Sequence, residues 1–172
     1  DRAADFMADN IEHVNRPDFV GISFDVSGHT DLEIKMDMPG KYNVYNAMAA
    51  ISVLSLIGIP HRAITSAFRR VHVDGRTQIV FKNDTMSVLV DYAHNEMAME
   101  NLLSTLRELQ PKRLVVVFGC GGNRAKDRRY GMGKAAAEFA DLSILTADNS
   151  RDEETTDIIA DIKSTLVPAG GH

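Results

Sequence analysis

From residue 85 onward the chain repeats one construction. A short apolar, β-branched run ends in a polar or glycine-rich cluster and passes at once into a segment with apolar residues at helical spacing. The run at 85–90 leads into Asp91-Tyr92-Ala93-His94-Asn95 and a helical pattern over 96–109. The run at 113–118 leads into Gly119-Cys120-Gly121-Gly122-Asn123-Arg124 and a pattern over 131–140. The run at 142–146 leads into Asp148-Asn149-Ser150-Arg151 and a pattern over 153–166. Strands that alternate with helices in this way are joined by crossovers, so the expected class is α/β with a mostly parallel sheet, apart from an opening hairpin formed by the runs at 77–82 and 85–90. The cluster after the run at 85–90 then lies at the carboxyl end of a strand, the edge at which open α/β sheets bind ligands.

The first part of the chain reads differently. Runs 19–26 and 32–38 alternate apolar and polar residues around Ser27-Gly28-His29-Thr30, which makes a β-hairpin. From 43 to 57 apolar residues fall on nearly every side of a helical wheel, the pattern of a helix buried within a larger domain. Gly58 and Pro60 end it, and a second helix is expected over 62–70. Val73-Asp74-Gly75-Arg76 breaks the periodicity, which places a domain boundary there and divides the chain into 1–74 and 75–172.

Composition narrows the partners. With 172 residues, 44% hydrophobic and 25% charged, the chain has the makings of an ordinary soluble protein with one sizeable core or two small ones. A formal net charge of -5 argues against nonspecific nucleic-acid binding, which needs a surplus of Lys and Arg to displace counterions. The single cysteine, Cys120, excludes an internal disulfide and a thiol set for structural zinc, and suits a reducing cytoplasm. No run approaches the roughly 18 apolar residues of a bilayer span, and no signal segment opens the sequence, so no membrane partner is expected.

Several residues have chemistry suited to a ligand. A carboxylate placed as Asp91 is can take both hydroxyls of a ribose, though Asp91 or Asn95 could equally cap the following helix. Asn43 and Asn46, three residues apart in the first turn of a helix, project their amides to one side and could read a purine edge; Asn43 could also be an N-cap. Arg76 in the hinge could be no more than a solvated linker charge. The glycines at 119, 121 and 122 do not make a dinucleotide fingerprint, because position 124 is Arg, so they are read as a loop whose backbone comes close to a ligand or to the other domain. Arg124, Lys126, Arg128 and Arg129 make a basic cluster of the kind that is usually a solvated loop. Asp148-Asn149-Ser150-Arg151 precedes a helix, so Asp148 could be an N-cap and Arg151 a surface charge. That arginine could instead grip a carboxylate at two points.

Taken in order, Gly40-Lys41-Tyr42-Asn43-Val44-Tyr45-Asn46-Ala47-Met48-Ala49-Ala50, Asp74-Gly75-Arg76, Asp91 to Asn95, Phe118 to Arg124 and Asp148 to Arg151 resemble the Mur ligase family over nearly the whole chain. The resemblance implies the tail of a central ATPase domain followed by a truncated, Rossmann-like C-terminal domain. It implies an ATP-dependent, amide-forming, ADP-releasing ligase of peptidoglycan precursor synthesis in the cytoplasm, serving cell wall biogenesis, cell shape and division. Such an enzyme turns a carboxylate into an acyl phosphate that an incoming amine attacks. The substrates implied are ATP with magnesium, UDP-N-acetylmuramoyl-alanyl-glutamate and a diamino acid. By the same resemblance Asn43, Asn46, Arg76, Asp91 and His94 serve ATP, while Arg124, Asp148, Asn149 and Arg151 serve the amino acid. An arginine at 151 points to meso-diaminopimelate, whose terminal carboxylate separates it from lysine. The family form has Pro after Asn95 and at position 150, where this chain has Glu96 and Ser150, and an acid is common where Ala147 stands.

The G-x-x-x-x-G-K-[ST] phosphate loop of the family is absent from the sequence, as is the Gly-Lys-Gly-His-Glu-like segment expected downstream. The expectation is therefore a fragment with no catalytic residue and no metal ligand of its own, the magnesium site lying mostly upstream, and without ligase activity by itself. Two alternatives stand beside it: another Mur-like ligase of the lysine-adding, folylpolyglutamate or cyanophycin synthetase type, and a noncatalytic nucleotide-binding module.

Overall fold

The computed structural model describes residues 4–16 and 19–172. Packing divides the chain into two compact units that part between Tyr92 and Ala93. By packing, the hinge and hairpin at 75–90 therefore go with the first unit.

In the first unit, β1 (Phe6–Arg16), β2 (Phe19–Gly28) and β3 (Leu32–Met36) form an antiparallel sheet in that order. Register pairs Ile22 with Met36, Phe24 with Ile34 and Val26 with Leu32, so alternation puts all six on one face, and all six are buried. Strand β1 was not expected from the sequence. Its pairing with β2 slips between Asp9 and Glu12, and Asn10 there has φ 52°, so the bulge breaks the period of two on which strand recognition rests. Helix α1 (Lys41–Leu56) packs on this sheet through Val44, Ala47 and Ile51, and α2 (His61–Phe68) adds Ile64 and Phe68 to the same core.

Helix α1 departs from the all-round burial expected of it. The sheet covers one face, while Tyr45, Val53 and Leu56 on the other are 78%, 59% and 68% exposed. Strands β4 (Gln78–Lys82) and β5 (Ser87–Val90) then form the expected antiparallel hairpin. The Asn83 carboxamide oxygen closes its turn by accepting from the backbone N–H groups of Thr85 and Met86 at 2.9 and 2.8 Å.

The second unit carries the α/β pattern. It runs α3 (Glu96–Glu108), β6 (Val115–Phe118), α4 (Asp127–Phe139), β7 (Leu142–Leu145) and α5 (Thr155–Leu166). Strands β6 and β7 are parallel, in register from Val115 opposite Leu142 to Phe118 opposite Leu145, with α4 as the crossover between them. Helix α4 packs against both α3 and α5. Its glycines make that possible: a Cβ on Gly131 would meet the Glu96 side chain at 2.6 Å, and one on Gly133 would meet Thr165 Oγ1 at 2.5 Å. The helix begins four residues before the segment expected from periodicity. The first inward position of its buried stripe, Arg129, Met132, Gly133 and Ala136, is a charged residue that an apolar pattern cannot register. No helix among the described residues is long and apolar enough to cross a membrane.

Candidate functional site

In the first unit, Asp91 leaves the end of β5, and the N-cap of the following helix is Asn95 instead. Its Oδ2 accepts from the backbone N–H and the hydroxyl of Thr77, at 2.7 and 3.1 Å, and the Thr77 hydroxyl lies 2.9 Å from the Tyr42 phenol. Thr77 is 1% exposed and has φ 45°, a left-handed conformation that costs a β-branched residue on the order of 1–3 kcal/mol and is held here by the hydrogen bonds to Asp91. Burial raises the Tyr42 phenol above its ordinary range, and the nearby Asp91 charge adds to that, while the Thr77 hydrogen bond opposes it. The cluster joins the first turn of α1, the hinge and the end of β5.

Arg76 is drawn to the same place. Its guanidinium carbon sits 4.8 Å from the centroid of the Tyr92 ring, a cation–π contact that orients the fork. It also lines a cleft of about 300 Å³ together with Arg69, Arg70, His72, Asp37 and Gln78. A cleft with three arginines on its wall suits an anion. The preceding Gly75 has φ 70° and donates its N–H to Gln78 Oε1 at 2.9 Å.

The two asparagines of α1 do not stand side by side toward solvent. Gly40 is the N-cap, and Asn43, one turn in, is 3% exposed and donates from Nδ2 to the Pro39 carbonyl at 2.8 Å. Asn46 is exposed, and its Nδ2 lies 3.4 Å from Asn43 Oδ1. Asn43 therefore backs Asn46, and only the latter presents its amide.

His94 belongs to the second unit and is exposed in the segment leading to α3. The capping role falls to Asn95, whose side chain accepts from the Ala98 N–H at 2.9 Å.

The second unit brings its two expected amino-acid segments together. Gly122 donates its N–H to the Asn149 carbonyl at 2.8 Å, and the Arg151 guanidinium donates to the Gly122 carbonyl. A Cβ on Gly119 would collide with the Thr146 carbonyl and one on Gly122 with the Ser150 carbonyl, so glycine is required where the two loops lie on each other. At Gly121 the Arg151 Nη1 and the Arg124 Cγ lie 3.2 and 3.8 Å from the position a Cβ would take. Arg124 and Arg151 are exposed, as are Asp148 and Asn149. Asp148 does not cap α5; Glu154 holds that position. Asn123 and Arg151 both have positive φ, 52° and 50°, so each loop is bent at a residue that is not glycine.

What holds this clasp was missed from the sequence. Arg129 stood there as one of a solvated basic cluster, but it is 1% exposed. Its Nη1 donates to Glu153 Oε2 and Asp161 Oδ2, both at 2.8 Å, and its Nη2 to Glu153 Oε1 at 2.7 Å. Lys126 reaches Asp161 at 3.0 Å. Glu153 in turn accepts from the Asn123 N–H at 2.5 Å, and its own N–H donates to the Ser150 carbonyl at 3.0 Å. The Arg129 hydrogen bonds and the Asn123 N–H hold the Glu153 carboxyl down at about 2. Burial works to raise the Asp161 carboxyl, but the hydrogen bonds from Arg129 and Lys126 outweigh it and leave the carboxyl below its usual range. The signal that could have found Arg129 is its place in the stripe at 129, 132, 133 and 136.

Cys120 is buried in the same region, and burial pushes its thiol up to about 11, so it stays protonated and is no nucleophile near neutral pH. No group of three His, Cys, Asp or Glu side chains that could hold a metal ion occurs among the described residues.

The family model described as Mur ligase, glutamate ligase domain matches residues 75–170. The chain is 39% identical over 166 residues to the UDP-N-acetylmuramoyl-L-alanyl-D-glutamate--2,6-diaminopimelate ligase of Clostridium botulinum, covering 94% of this chain and 34% of that protein. It is 44% identical over 147 residues to the enzyme of the same name from Syntrophomonas wolfei, covering 84% and 30%. A solved structure of a UDP-N-acetylmuramoyl-L-alanyl-D-glutamate--2,6-diaminopimelate ligase superposes with a TM-score of 0.62 at 29% identity, over 99% of this chain and 34% of that one. The chain thus spans about a third of the length of the curated relatives it matches. With over half of its residues matched by the family model and glycine and arginine loops folded against each other within that match, this chain belongs to the Mur ligase family.

Proposed function

We propose that this chain is part of an ATP-dependent ligase that joins a diamino acid, meso-diaminopimelate, to UDP-N-acetylmuramoyl-alanyl-glutamate. In that reaction the glutamate carboxylate is phosphorylated by ATP, and the amine displaces phosphate from the acyl phosphate to form the amide. Residues 1–74 would be the end of the central ATP-binding domain and 75–172 most of the C-terminal domain.

The observation that carries the proposal is the approach of the Arg151 guanidinium and the Arg124 side-chain stem to Gly121, on two loops tied by a backbone hydrogen bond. The Arg151 guanidinium, with that of Arg124 on the neighbouring loop, would take a carboxylate through charge-assisted, paired hydrogen bonds, which lysine as substrate could not satisfy at its side-chain end. Asp148 and Asn149 stand on the same loop and would meet the amino acid's polar groups. For ATP, Asp91 would take the ribose, Arg76 the phosphates and Asn46 the adenine edge, with Asn43 behind it and His94 as a further contact. Support comes from the fixed Asp91–Thr77–Tyr42 cluster and from the arginine-lined cleft beside Arg76. The described residues offer no ligand set for magnesium, so no step is assigned to it on this chain.

The test is phosphate release by the complete gene product with ATP and the UDP-muramoyl dipeptide, with meso-diaminopimelate, lysine, glutamate and aspartate supplied in turn. Turnover is expected with meso-diaminopimelate and at least about 100-fold less with lysine, the cost of leaving a built carboxylate site empty. Preference for lysine, glutamate or aspartate would refute it. The 172-residue chain alone is expected to release no phosphate in the same assay.

A further inference from the structure

We infer that Arg129 and Glu153 are a positioning pair that sets the spacing of Arg124 and Arg151, and so governs recognition of the amino-acid carboxylate without touching it. The inference rests on the amino-acid site proposed above. Its physical basis is independent of the family likeness. A fully buried guanidinium needs a reason to be there, since an apolar side chain of similar volume would fill the stripe of α4 at no desolvation cost.

The connections supply that reason. Arg129 holds both oxygens of Glu153, at 2.8 and 2.7 Å, a two-point grip that fixes the carboxylate plane. Glu153 then holds both loops at once: it accepts from the Asn123 N–H at 2.5 Å on one, and donates its own N–H to the Ser150 carbonyl at 3.0 Å on the other. The first anchor is one residue from Arg124 and the second one residue from Arg151. Asp152 adds a second hold on Asn123, accepting from its Nδ2 at 2.8 Å. Asn123 and Arg151 both have left-handed backbone, a conformation that persists only where surrounding bonds impose it. Asp161, which accepts from Arg129 at 2.8 Å and from Lys126 at 3.0 Å, pins the far side of the guanidinium to α5. A site that reads a carboxylate by two forks tolerates little change in their separation, so a rigid second layer is what such a site requires.

The test compares the complete gene product with its Glu153→Ala and Arg129→Lys variants, the second keeping the charge and losing the fork. Steady-state kinetics and amide hydrogen exchange at Gly122 and Asn123 are read together. The expected result is a KM for meso-diaminopimelate raised about tenfold or more, with kcat and the KM for ATP within about twofold of wild type. Exchange should quicken more at Gly122 and Asn123 than within α4 and α5. A KM for meso-diaminopimelate left unchanged while those two amides loosen would overturn the inference. So would a parallel rise of both KM values with faster exchange throughout α4 and α5, which would mark a purely structural role. If the wild-type gene product shows no meso-diaminopimelate-dependent turnover, the proposed function fails instead. The tether is then judged by exchange alone, and unchanged exchange at Gly122 and Asn123 in Glu153→Ala would refute it.

Discussion

The two units solve the problem of fixing polar groups in different ways. In the first, the buried side chains of the core are apolar, and in the polar cluster beside it Thr77 donates twice to one Asp91 carboxylate oxygen and meets the Tyr42 phenol through its hydroxyl. In the second, a cation sits inside the core and two carboxylates close around it. The difference teaches that the first unit's shape follows from area removed from water, whereas the second unit's loops are positioned by charge.

That contrast can be broken in graded ways. Phe24→Ala, deep in the first core, should cost about 3–5 kcal/mol of stability, because a ring is lost from a close-packed interior. Hydrogen exchange should report the loss in β2, β3 and α1. Arg129→Ala should cost about 3 kcal/mol in the second unit, near the low end for breaking a buried pair, since Glu153 and Asp161 keep 28% and 19% exposure and some access to water. Exchange in α4 and α5 would show it; a loss confined to β2 and β3 would contradict the contrast.

The units should also differ in acid. The Glu153 carboxyl lies at about 2 in the folded protein against 4.5 for the free group. Its stabilising contribution is therefore complete above about pH 4.5 and is lost as pH falls toward 2, because the unfolded chain takes up the proton first. A pH series of denaturation midpoints should show this slope between those limits, and Glu153→Gln should flatten it. The smallest effect is expected at Asn95→Ala, about 1 kcal/mol for loss of the α3 cap, read by exchange in that helix's first turn.

Much of this was legible in the sequence, for stated reasons. The hairpin at 19–36, helices α1, α2, α3 and α5 and the parallel pair β6–β7 follow from apolar period and turn residues. The glycines at 119 and 122 were read as approaching a ligand or the other domain; the close approach is there, but to the loop at 146–150 of their own unit. Strand β1 was not legible because its bulge at Asp9 to Glu12 shifts the alternation. The first turn of α4 and the role of Arg129 were hidden together, since hydrophobic periodicity ignores a buried charge and Glu153 and Asp161 are 24 and 32 residues away from it. For Asn43 and Asn46, helical spacing gave the shared side but not the depth. Asn43 turns back to Pro39 because the chain enters α1 there through Gly40 at φ 109°.

The most direct test of the central claim is the kinetic effect of Arg151→Ala in the complete gene product. One charge-assisted hydrogen-bonded fork to a carboxylate is worth roughly 1.5–3 kcal/mol. The expected result is a KM for meso-diaminopimelate raised roughly ten- to a hundredfold, with the KM for ATP within about twofold. Equal losses for both substrates, or an unchanged requirement for meso-diaminopimelate, would contradict an amino-acid carboxylate held between Arg124 and Arg151.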